Sequence, residues 1–259
     1  MKPEVVVLAD AEALAAEAAR RFTAAARAAV AARGRFAVAL SGGSTPLATY
    51  RLLAEEDLLS PEELAACHWF WGDERCVPPD HPDSNFREAW EAGLKRLTGG
   101  DESRVYRFWC EKGPEKAAEE YEAALREFFS PALGEVPRFD LVLLGLGADG
   151  HTASLFPGTT ALEEQERWAV PVWVPKLESW RATLTLAVIN AAREVMFLVA
   201  GEAKAEAVQQ CLAGPLGERA LPAQRVVPRE GKLVWLLDAA AARLLTEAES
   251  PEGNDSADQ

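Results

Sequence analysis

The sequence predicts an α/β protein, a three-layer α/β/α sandwich built around a mostly parallel, Rossmann-like sheet. Short apolar runs, each about four to eight residues long and typical of buried strands, alternate with longer segments of helical periodicity. The chain has 259 residues and is 49% hydrophobic, which is enough to bury a large core. Strands that alternate with helices favour βαβ units, in which helices cover both faces of a parallel sheet.

The first half of the chain begins with a strand and a long helix. Asp10 is predicted to cap an alanine-rich helix that ends near Arg33. Its apolar positions Leu14, Ala18 and Phe22 recur at i+4 spacing and therefore share one face. The other elements predicted here are strands at 4–9, 35–40 and 67–73, an extended segment at 104–108, and helices from Pro46, over 84–97 and over 114–129.

The second half contains the clearest strand, the apolar run RFDLVLLGLG at 138–147. Further strands are predicted at 168–175, 182–188, 193–201 and 232–238, with a helix over 202–213. No internal repeat and no long linker divides the chain, so we expect one domain over residues 1–247. The polar, acidic tail at 248–259 is predicted to be disordered.

The composition excludes several classes of partner. A net charge of −14 is unsuited to nucleic acid or anionic membranes, which need an extended basic surface. No apolar run is long enough to span a membrane, and no signal peptide is evident, so we expect a cytoplasmic protein. Four cysteines without a C-x-x-C pair argue against a zinc site or a disulfide framework. A small anionic ligand stays possible if a local cluster of basic groups binds it.

The loop SGGSTP at 41–46 follows the second strand. Ligands of parallel sheets collect outside the carboxyl ends of the strands, so each such loop is a candidate site. Gly42 and Gly43 allow backbone N–H groups to approach a phosphate at the following helix N-terminus. Ser44 or Thr45 is the expected N-cap of that helix. An ordinary strand–helix turn explains the same residues.

Asp73, Glu74 and Arg75 follow the third strand and reach the same edge of the sheet. Arg75 is able to bind a carboxylate or phosphate with two parallel hydrogen bonds. An ion pair with Asp73 or Glu74 is the competing interpretation, and this stretch alone favours it. The segment DHPD at 80–83 has poor spacing for metal ligands, so His81 is predicted to be an ordinary loop histidine.

Two further basic residues are candidates for binding an anion. Lys204 falls in the first turn of the predicted helix after Gly201. A cation there opposes the helix dipole by about 0.3–1 kcal/mol, and a bound anion would reverse the sign. Glu202 or Glu206 could offset the same charge. Arg181, just before the strand at 182–188, carries a weaker signal.

The turn GLGADGHTASLFPG at 145–158 is the candidate for chemistry. His151 lies on a glycine-rich loop at the carboxyl end of a strand, where it can act as a general base near neutral pH. Asp149, two residues earlier, could orient the imidazole or share in proton transfer. No G-x-S-x-G nucleophile elbow is present, so the sequence does not suggest an acyl-enzyme.

Five motifs together resemble a known family. They occur in the order and at about the spacing seen in 6-phosphogluconolactonases, members of the glucosamine-6-phosphate isomerase/6-phosphogluconolactonase family. The resemblance extends over roughly residues 5–245. The motifs are SGGSTP, WGDERCVPPDHPDSN, LLGLGADGHTASLFPG, RATLTLAVINAA and GEAKAE.

This resemblance implies an α/β/α fold and hydrolysis of 6-phosphoglucono-δ-lactone to 6-phosphogluconate, without metal or organic cofactor. His151 would deprotonate the attacking water and later protonate the departing ring oxygen, with Asp149 holding it. The loop at 42–45 and Lys204 would hold the phosphate. Arg75, Arg181 and Asp73 would be further substrate contacts. The family contains monomers and homodimers, and either is expected here.

Two other functions are weighed against this one. Glucosamine-6-phosphate deaminases resemble the chain in the phosphate loop and the Gly-Asp-Gly-His turn. They carry a glutamate where this chain has Phe156, and an aromatic residue where it has Arg75, so both positions favour the lactonase. A non-catalytic sugar-phosphate sensor would usually lie beside a DNA-binding domain, and no helix-turn-helix or basic patch is evident here.

Overall fold

The computed structural model describes residues 2–217 and 220–246 of the chain. The strands of that part are, in chain order, β1 (Glu4–Leu8), β2 (Phe36–Leu40), β3 (Cys67–Trp71), β4 (Asp73–Arg75), β5 (Val105–Tyr106), β6 (Leu141–Leu144), β7 (Ala169–Val174), β8 (Ser179–Leu184), β9 (Glu194–Val199) and β10 (Lys232–Asp238). The predicted acidic tail at 248–259 lies outside the described residues, and the single-domain assignment of residues 1–247 stays a prediction.

The helices flank the main sheet and form the outer layers of the predicted sandwich. They are α1 (Ala11–Arg33), α2 (Ser44–Glu55), α3 (Pro61–Ala65), α4 (Asn85–Ala89), α5 (Lys95–Leu97), α6 (Pro114–Phe129), α7 (Leu186–Ile189), α8 (Ala205–Ala213) and α9 (Ala239–Ala242). Five residues of π-helical geometry, Trp90–Leu94, join α4 to α5. The three-layer α/β fold predicted from the sequence is confirmed.

Helix α1 shows how local sequence specifies an element. The side chain of Asp10 accepts a hydrogen bond from the backbone N–H of Ala13 and caps the helix, as predicted. Leu14, Ala18 and Phe22 are all buried against the core. The helix ends where Gly34 adopts a left-handed conformation with φ 70°, which glycine reaches at little cost.

The main sheet has seven strands in the order β1-β10-β9-β6-β2-β3-β5, and every neighbouring pair is parallel. After β2 the chain proceeds to β3 and β5 on one side, whereas after β6 it proceeds to β9 and β10 on the other. The loops that leave β2 and β6 therefore diverge from adjacent strands. Such a reversal of strand order opens a crevice at the carboxyl edge of the sheet.

A second, antiparallel sheet contains β4, β8 and β7 in that order. The sequence predicted β7 and β8 as strands but not this sheet, and it predicted a loop where β4 lies. The segment at 175–178 that joins β7 to β8 is too short for the crossover that parallel strands require, so the two form an antiparallel hairpin. Pairing of β4 with β8 brings Arg75 opposite Arg181.

The predicted cap of α2 is wrong. The N-cap is Gly43, not Ser44 or Thr45, and no side chain caps the helix. The backbone turns into the helix at Gly43 with φ 101°, a conformation that a residue with a Cβ rarely adopts. The first N–H groups of α2 are therefore left without an intrahelical or side-chain partner.

Candidate active site

A cleft of about 300 Å³ opens where the carboxyl ends of β2, β6 and β9 meet the small sheet. Nine of the ten side chains and glycines predicted as site residues line it: Gly42, Gly43, Ser44, Thr45, Asp73, Arg75, His151, Arg181 and Lys204. Asp149 does not line the cleft and lies behind His151, with which it makes a hydrogen bond. The fold thus gathers residues that are separated by up to 162 positions in the sequence.

The loop at 41–45 lines the cleft and packs closely against Asn85 because Gly42 has no side chain. A Cβ built on Gly42 would lie 1.9 Å from Oδ1 of Asn85, so any larger residue would displace one of them. Beyond it, the uncapped N-terminus of α2 presents backbone N–H groups and positive potential to the cleft. This combination suits a phosphate group.

Two cations in the cleft lack an acidic partner. Within the described residues, neither Arg181 nor Lys204 has a carboxylate oxygen within 4.0 Å. Nε of Arg181 is buried without a hydrogen-bond partner, and burial lowers the pKa of this guanidinium. In a chain of net charge −14, two unpaired cations facing one cleft indicate an anion site.

Arg75 is held differently from the competing prediction of an ion pair with Asp73 or Glu74. Its Nη1 donates to the backbone oxygen of Asp83 at 2.7 Å and lies 3.8 Å from a carboxylate oxygen of Glu88. Its Nε is buried without a hydrogen-bond partner, and Arg75 lines the cleft.

Glu74 stabilises the loop that follows β4. Its buried carboxylate accepts hydrogen bonds from the backbone N–H groups of Arg75, Asn85 and Phe86 and from the hydroxyl of Ser84. Burial raises its pKa to about 7, although the three backbone hydrogen bonds oppose that rise. Glu74 is not part of the cleft lining, and it ties the loop at 75–84 to the start of α4.

Asp73 is buried at the cleft wall and held by two residues that sequence analysis missed. Ser154 donates its hydroxyl to Oδ2 of Asp73 at 2.6 Å, and the amide of Asn85 donates to the backbone oxygen of Asp73 at 2.9 Å. Asn85 is the first residue of α4, whose N-cap is Ser84. No local pattern reveals the contact with Ser154, because 81 positions separate the two residues.

The turn that carries His151 is closed by its own backbone. The N–H of Gly147 donates to the carbonyl of His151 at 2.8 Å, and Gly150 has φ 75°. A Cβ on Gly147 would lie 1.9 Å from Nδ1 of His151, so glycine is required for the imidazole to fold back over the turn. The glycine-rich sequence therefore allows the imidazole ring to take up this position over the turn, and the glycines are not a sign of a flexible loop.

Asp149 engages the imidazole as the sequence suggested. Its Oδ1 lies 2.5 Å from Nδ1 of His151, and its Oδ2 pairs with Nζ of Lys176 from the β7–β8 connection. Burial acts against ionisation of Asp149, but the hydrogen bonds from Lys176 and His151 lower its pKa well below the usual range. Sequence analysis missed Lys176, which is 27 positions away in the connection between β7 and β8.

The imidazole is shielded on one face by Phe156, whose ring is stacked on it with centroids 4.0 Å apart. Burial lowers the pKa of His151, and the opposing effect of Asp149 does not offset it. This shift favours the neutral ring near pH 7. With Nδ1–H assigned as donor to Asp149, Nε2 carries the lone pair and can accept a proton.

Residues 2–217 and 220–246 contain no group of three or more His, Cys, Asp or Glu side chains arranged to hold a metal ion. The expectation that no metal or organic cofactor takes part stays a prediction. Within the same described ranges, none of the helices has the length and apolar character needed to cross a membrane.

The fold and the cleft define an α/β protein of the class that binds its ligands in a crevice outside the carboxyl ends of its strands. A family model described as glucosamine-6-phosphate isomerases/6-phosphogluconolactonase matches residues 9–235. The chain belongs to this family, which confirms the resemblance seen in the sequence.

Similar proteins within the family include 6-phosphogluconolactonases. The chain is 42% identical over 246 residues to the 6-phosphogluconolactonase of Nostoc sp., covering 95% of this chain and 100% of that protein. It is 44% identical over 217 residues to the human 6-phosphogluconolactonase, covering 83% of each. The structure of 6-phosphogluconolactonase from Trypanosoma cruzi matches with a TM-score of 0.83 and 32% identity, covering 95% of this chain and 97% of that one.

Proposed function

We propose that this protein hydrolyses 6-phospho-D-glucono-1,5-lactone to 6-phospho-D-gluconate, the second step of the oxidative pentose phosphate pathway, with His151 as general base. One observation carries the proposal: a neutral histidine and two unpaired cations, Arg181 and Lys204, line the same cleft. The names of the similar proteins support the substrate. The cleft contains a candidate group for phosphate binding, for proton transfer and for stabilising the oxyanion.

The phosphate end of the substrate is held by the N–H groups at the start of α2 together with Lys204 and Arg181. Asp73 is a poor phosphate ligand because it is an anion, and its carboxylate instead accepts a hydrogen bond from a sugar hydroxyl. Anchoring the remote phosphate fixes the lactone carbonyl against the base, which converts binding energy into orientation.

His151 then performs two proton transfers. Its Nε2 removes a proton from a water molecule as that water attacks the lactone carbonyl carbon. The tetrahedral oxyanion is stabilised by Arg75 or by backbone N–H groups of the cleft. When the bond between this carbon and the ring oxygen breaks, the imidazolium returns the proton to the departing oxygen. A positioned base of this kind contributes about 10²–10⁴-fold in rate.

Asp149 and Lys176 support this cycle without touching the substrate in the proposed arrangement. The Asp149 carboxylate fixes the tautomer that leaves Nε2 free and stabilises the imidazolium that forms. Lys176 keeps that carboxylate ionised and limits how strongly it raises the basicity of His151.

The decisive experiment generates the lactone in situ from glucose 6-phosphate and follows formation of 6-phosphogluconate. The rate with wild type should exceed the rate of uncatalysed hydrolysis. His151→Ala should lower the enzymatic rate by about 10²–10⁴-fold. His81→Asn, in an exposed loop, should retain the wild-type rate. No acceleration by wild type would refute the lactonase, and turnover of glucosamine 6-phosphate would then favour a deaminase. A fully active His151→Ala would leave the lactonase standing and remove His151 as its base.

A further inference from the structure

The fold brings together two cysteines that the sequence keeps apart. Sγ of Cys76 lies 3.0 Å from Sγ of Cys110, although 34 positions separate them. Both are free thiols. A disulfide has an S–S bond of about 2.05 Å, so an approach of about 1 Å would join them. Neither residue has a role in the proposed reaction.

The pair lies directly beside the cleft. Cys76 follows Arg75, and its N–H donates to the carbonyl of Trp180 at 3.0 Å, next to Arg181 on β8. Cys110 begins the short 3₁₀ turn Cys110–Lys112 that precedes α6. A bond between the two sulfurs would therefore connect the cleft wall to the base of α6.

The two thiols differ in their access to solvent. Cys110 is buried, at 5% exposure, whereas Cys76 is half-buried. The hydrogen bond with Cys76, together with burial, raises the pKa of Cys110 well above its usual range. A reagent from solution therefore meets Cys76 first, and Cys110 acts as the second thiol.

We propose that Cys76 and Cys110 are a reversible oxidation site that a low-molecular-weight disulfide converts to an intramolecular disulfide. The Cys76 thiolate attacks one sulfur of the reagent, its S–S bond breaks, and one thiolate leaves. Cys110, after losing its proton, attacks the Cys76 sulfur of the mixed disulfide and displaces the second thiolate. The protein loses two electrons and two protons, and the reagent gains them as two thiols.

Closure of this bond changes the cleft through Arg75. Drawing Cys76 toward the turn at 110–112 displaces the adjacent Arg75 from the carbonyl of Asp83 that positions it. An Arg75 side chain that has moved no longer contacts the substrate, and loss of that one contact corresponds to a rise in KM of about tenfold. The effect on KM rests on the proposed function, whereas the oxidation itself does not.

The first test uses oxidised glutathione on the whole protein. Wild type should lose two of its four thiols and two hydrogen atoms of mass, should yield one linked peptide pair containing Cys76 and Cys110, and should recover with dithiothreitol. Cys110→Ser should retain glutathione as a mixed disulfide on Cys76, and Cys76→Ser should form no link. The matched control Cys211→Ser should still form it, since Cys211 lies elsewhere, on α8.

Four thiols remaining in wild type, or a linked pair that contains Cys67 or Cys211, would overturn the site. If Cys110→Ser does not fold, the peptide map of wild type and the behaviour of Cys76→Ser, a substitution at a half-buried position, still show whether Cys76 and Cys110 form the disulfide. The second test compares KM of oxidised and reduced wild type. An unchanged KM would refute the effect on the cleft, whereas absence of activity in the reduced protein would count against the proposed function and leave the thiol measurements valid.

Discussion

Phe156 is stacked on the imidazole of His151, with ring centroids 4.0 Å apart and planes inclined by 20°. Nζ of Lys176 lies 4.8 Å from the centroid of the same phenyl ring, and burial together with this positive charge lowers the pKa of His151. Because Phe156 is 3% exposed, it also removes water from one side of the imidazole. This contact favours the neutral form of His151, which is the form that can accept a proton.

The stack predicts the position of the acid limb of the pH profile. Burial lowers the pKa of His151 from its ordinary 6.5, and a base acts only when neutral, so activity should persist below pH 6.5 and fall at lower pH. Phe156→Glu places a carboxylate against the imidazole and should move the limb upward, whereas Phe156→Leu keeps an apolar cover and should move it less. Profiles of kcat/KM between about pH 5 and 8, corrected for spontaneous hydrolysis, measure this. If the acid limb of the kcat/KM profile lay at the same pH in wild type and in Phe156→Glu, this prediction would be contradicted.

Gly147→Ala should disable His151 while leaving the fold intact. The added Cβ would lie 1.9 Å from Nδ1 of His151 and 2.7 Å from Oδ1 of Asp149, so the imidazole must move. A misplacement of about 1 Å costs roughly 10²-fold in rate, which kcat should show. Gly145→Ala is the matched control, because its Cβ would meet its nearest atom, Oγ of Ser41, only at 3.9 Å. Equal losses in both variants would indicate general damage to the turn.

Gly42 and Asn85 should show coupled effects on substrate affinity. A Cβ on Gly42 would lie 1.9 Å from Oδ1 of Asn85, so Gly42→Ala should displace the phosphate loop and raise KM. Asn85→Ala removes the obstructing atoms. In that background, Gly42→Ala should therefore raise KM by a smaller factor than it does in wild type. A double-mutant cycle of KM values measures the coupling, which we expect at about 1 kcal/mol or more. Strictly additive effects would show that the close approach is unimportant.

Lys204→Ala should weaken binding more than chemistry. Lys204 lines the cleft without an ion-pair partner among the described residues, and a charged hydrogen bond to phosphate is worth about 1.5–3 kcal/mol. We therefore expect KM to rise roughly tenfold to 100-fold with a smaller change in kcat. Lys232→Ala, at the amino end of β10, should leave both constants unchanged. A loss confined to kcat would place Lys204 at the reacting carbonyl instead.

Glu74 should make the folded protein lose stability as pH rises. Its pKa is raised from 4.5 to about 7 in the folded state, so its contribution is fully present below pH 4.5 and is lost as pH rises through 7. The shift corresponds to on the order of 3 kcal/mol. Urea unfolding should show this dependence in wild type and its absence in Glu74→Gln. Glu56→Gln, on an exposed residue, should behave as wild type, and parallel curves for wild type and Glu74→Gln would contradict the assignment.

Elements with strong local signals were predicted with small errors. Helix α6 has the predicted bounds, Pro114–Phe129, and Asp10 caps α1 as expected. Capping and periodic burial act within one or two turns of chain, so the sequence exposes them directly. The N-cap of α2 was mispredicted because the backbone conformation of Gly43, not a capping side chain, sets the start of that helix.

The candidate residues were found through position, namely that a loop after a parallel strand reaches the ligand edge. That rule located His151, Arg75 and the loop at 42–45. It gave no information on Lys176 or Ser154, whose importance arises from contacts across 27 and 81 positions. Proximity of that kind depends on how the two sheets pack.

The sequence by itself determined the α/β class, the family and the loops that bear the chemistry, because periodicity, capping and glycine placement are local properties of the chain. The tertiary structure decided which charges stay unpaired, which carboxylates are buried, and that Cys76 meets Cys110. It also stacked Phe156 on the imidazole of His151 and brought Lys176 near it from the β7–β8 connection, and both contacts favour the neutral ring. Burial and electrostatic environment are sums over neighbours, and only the folded chain defines those neighbours.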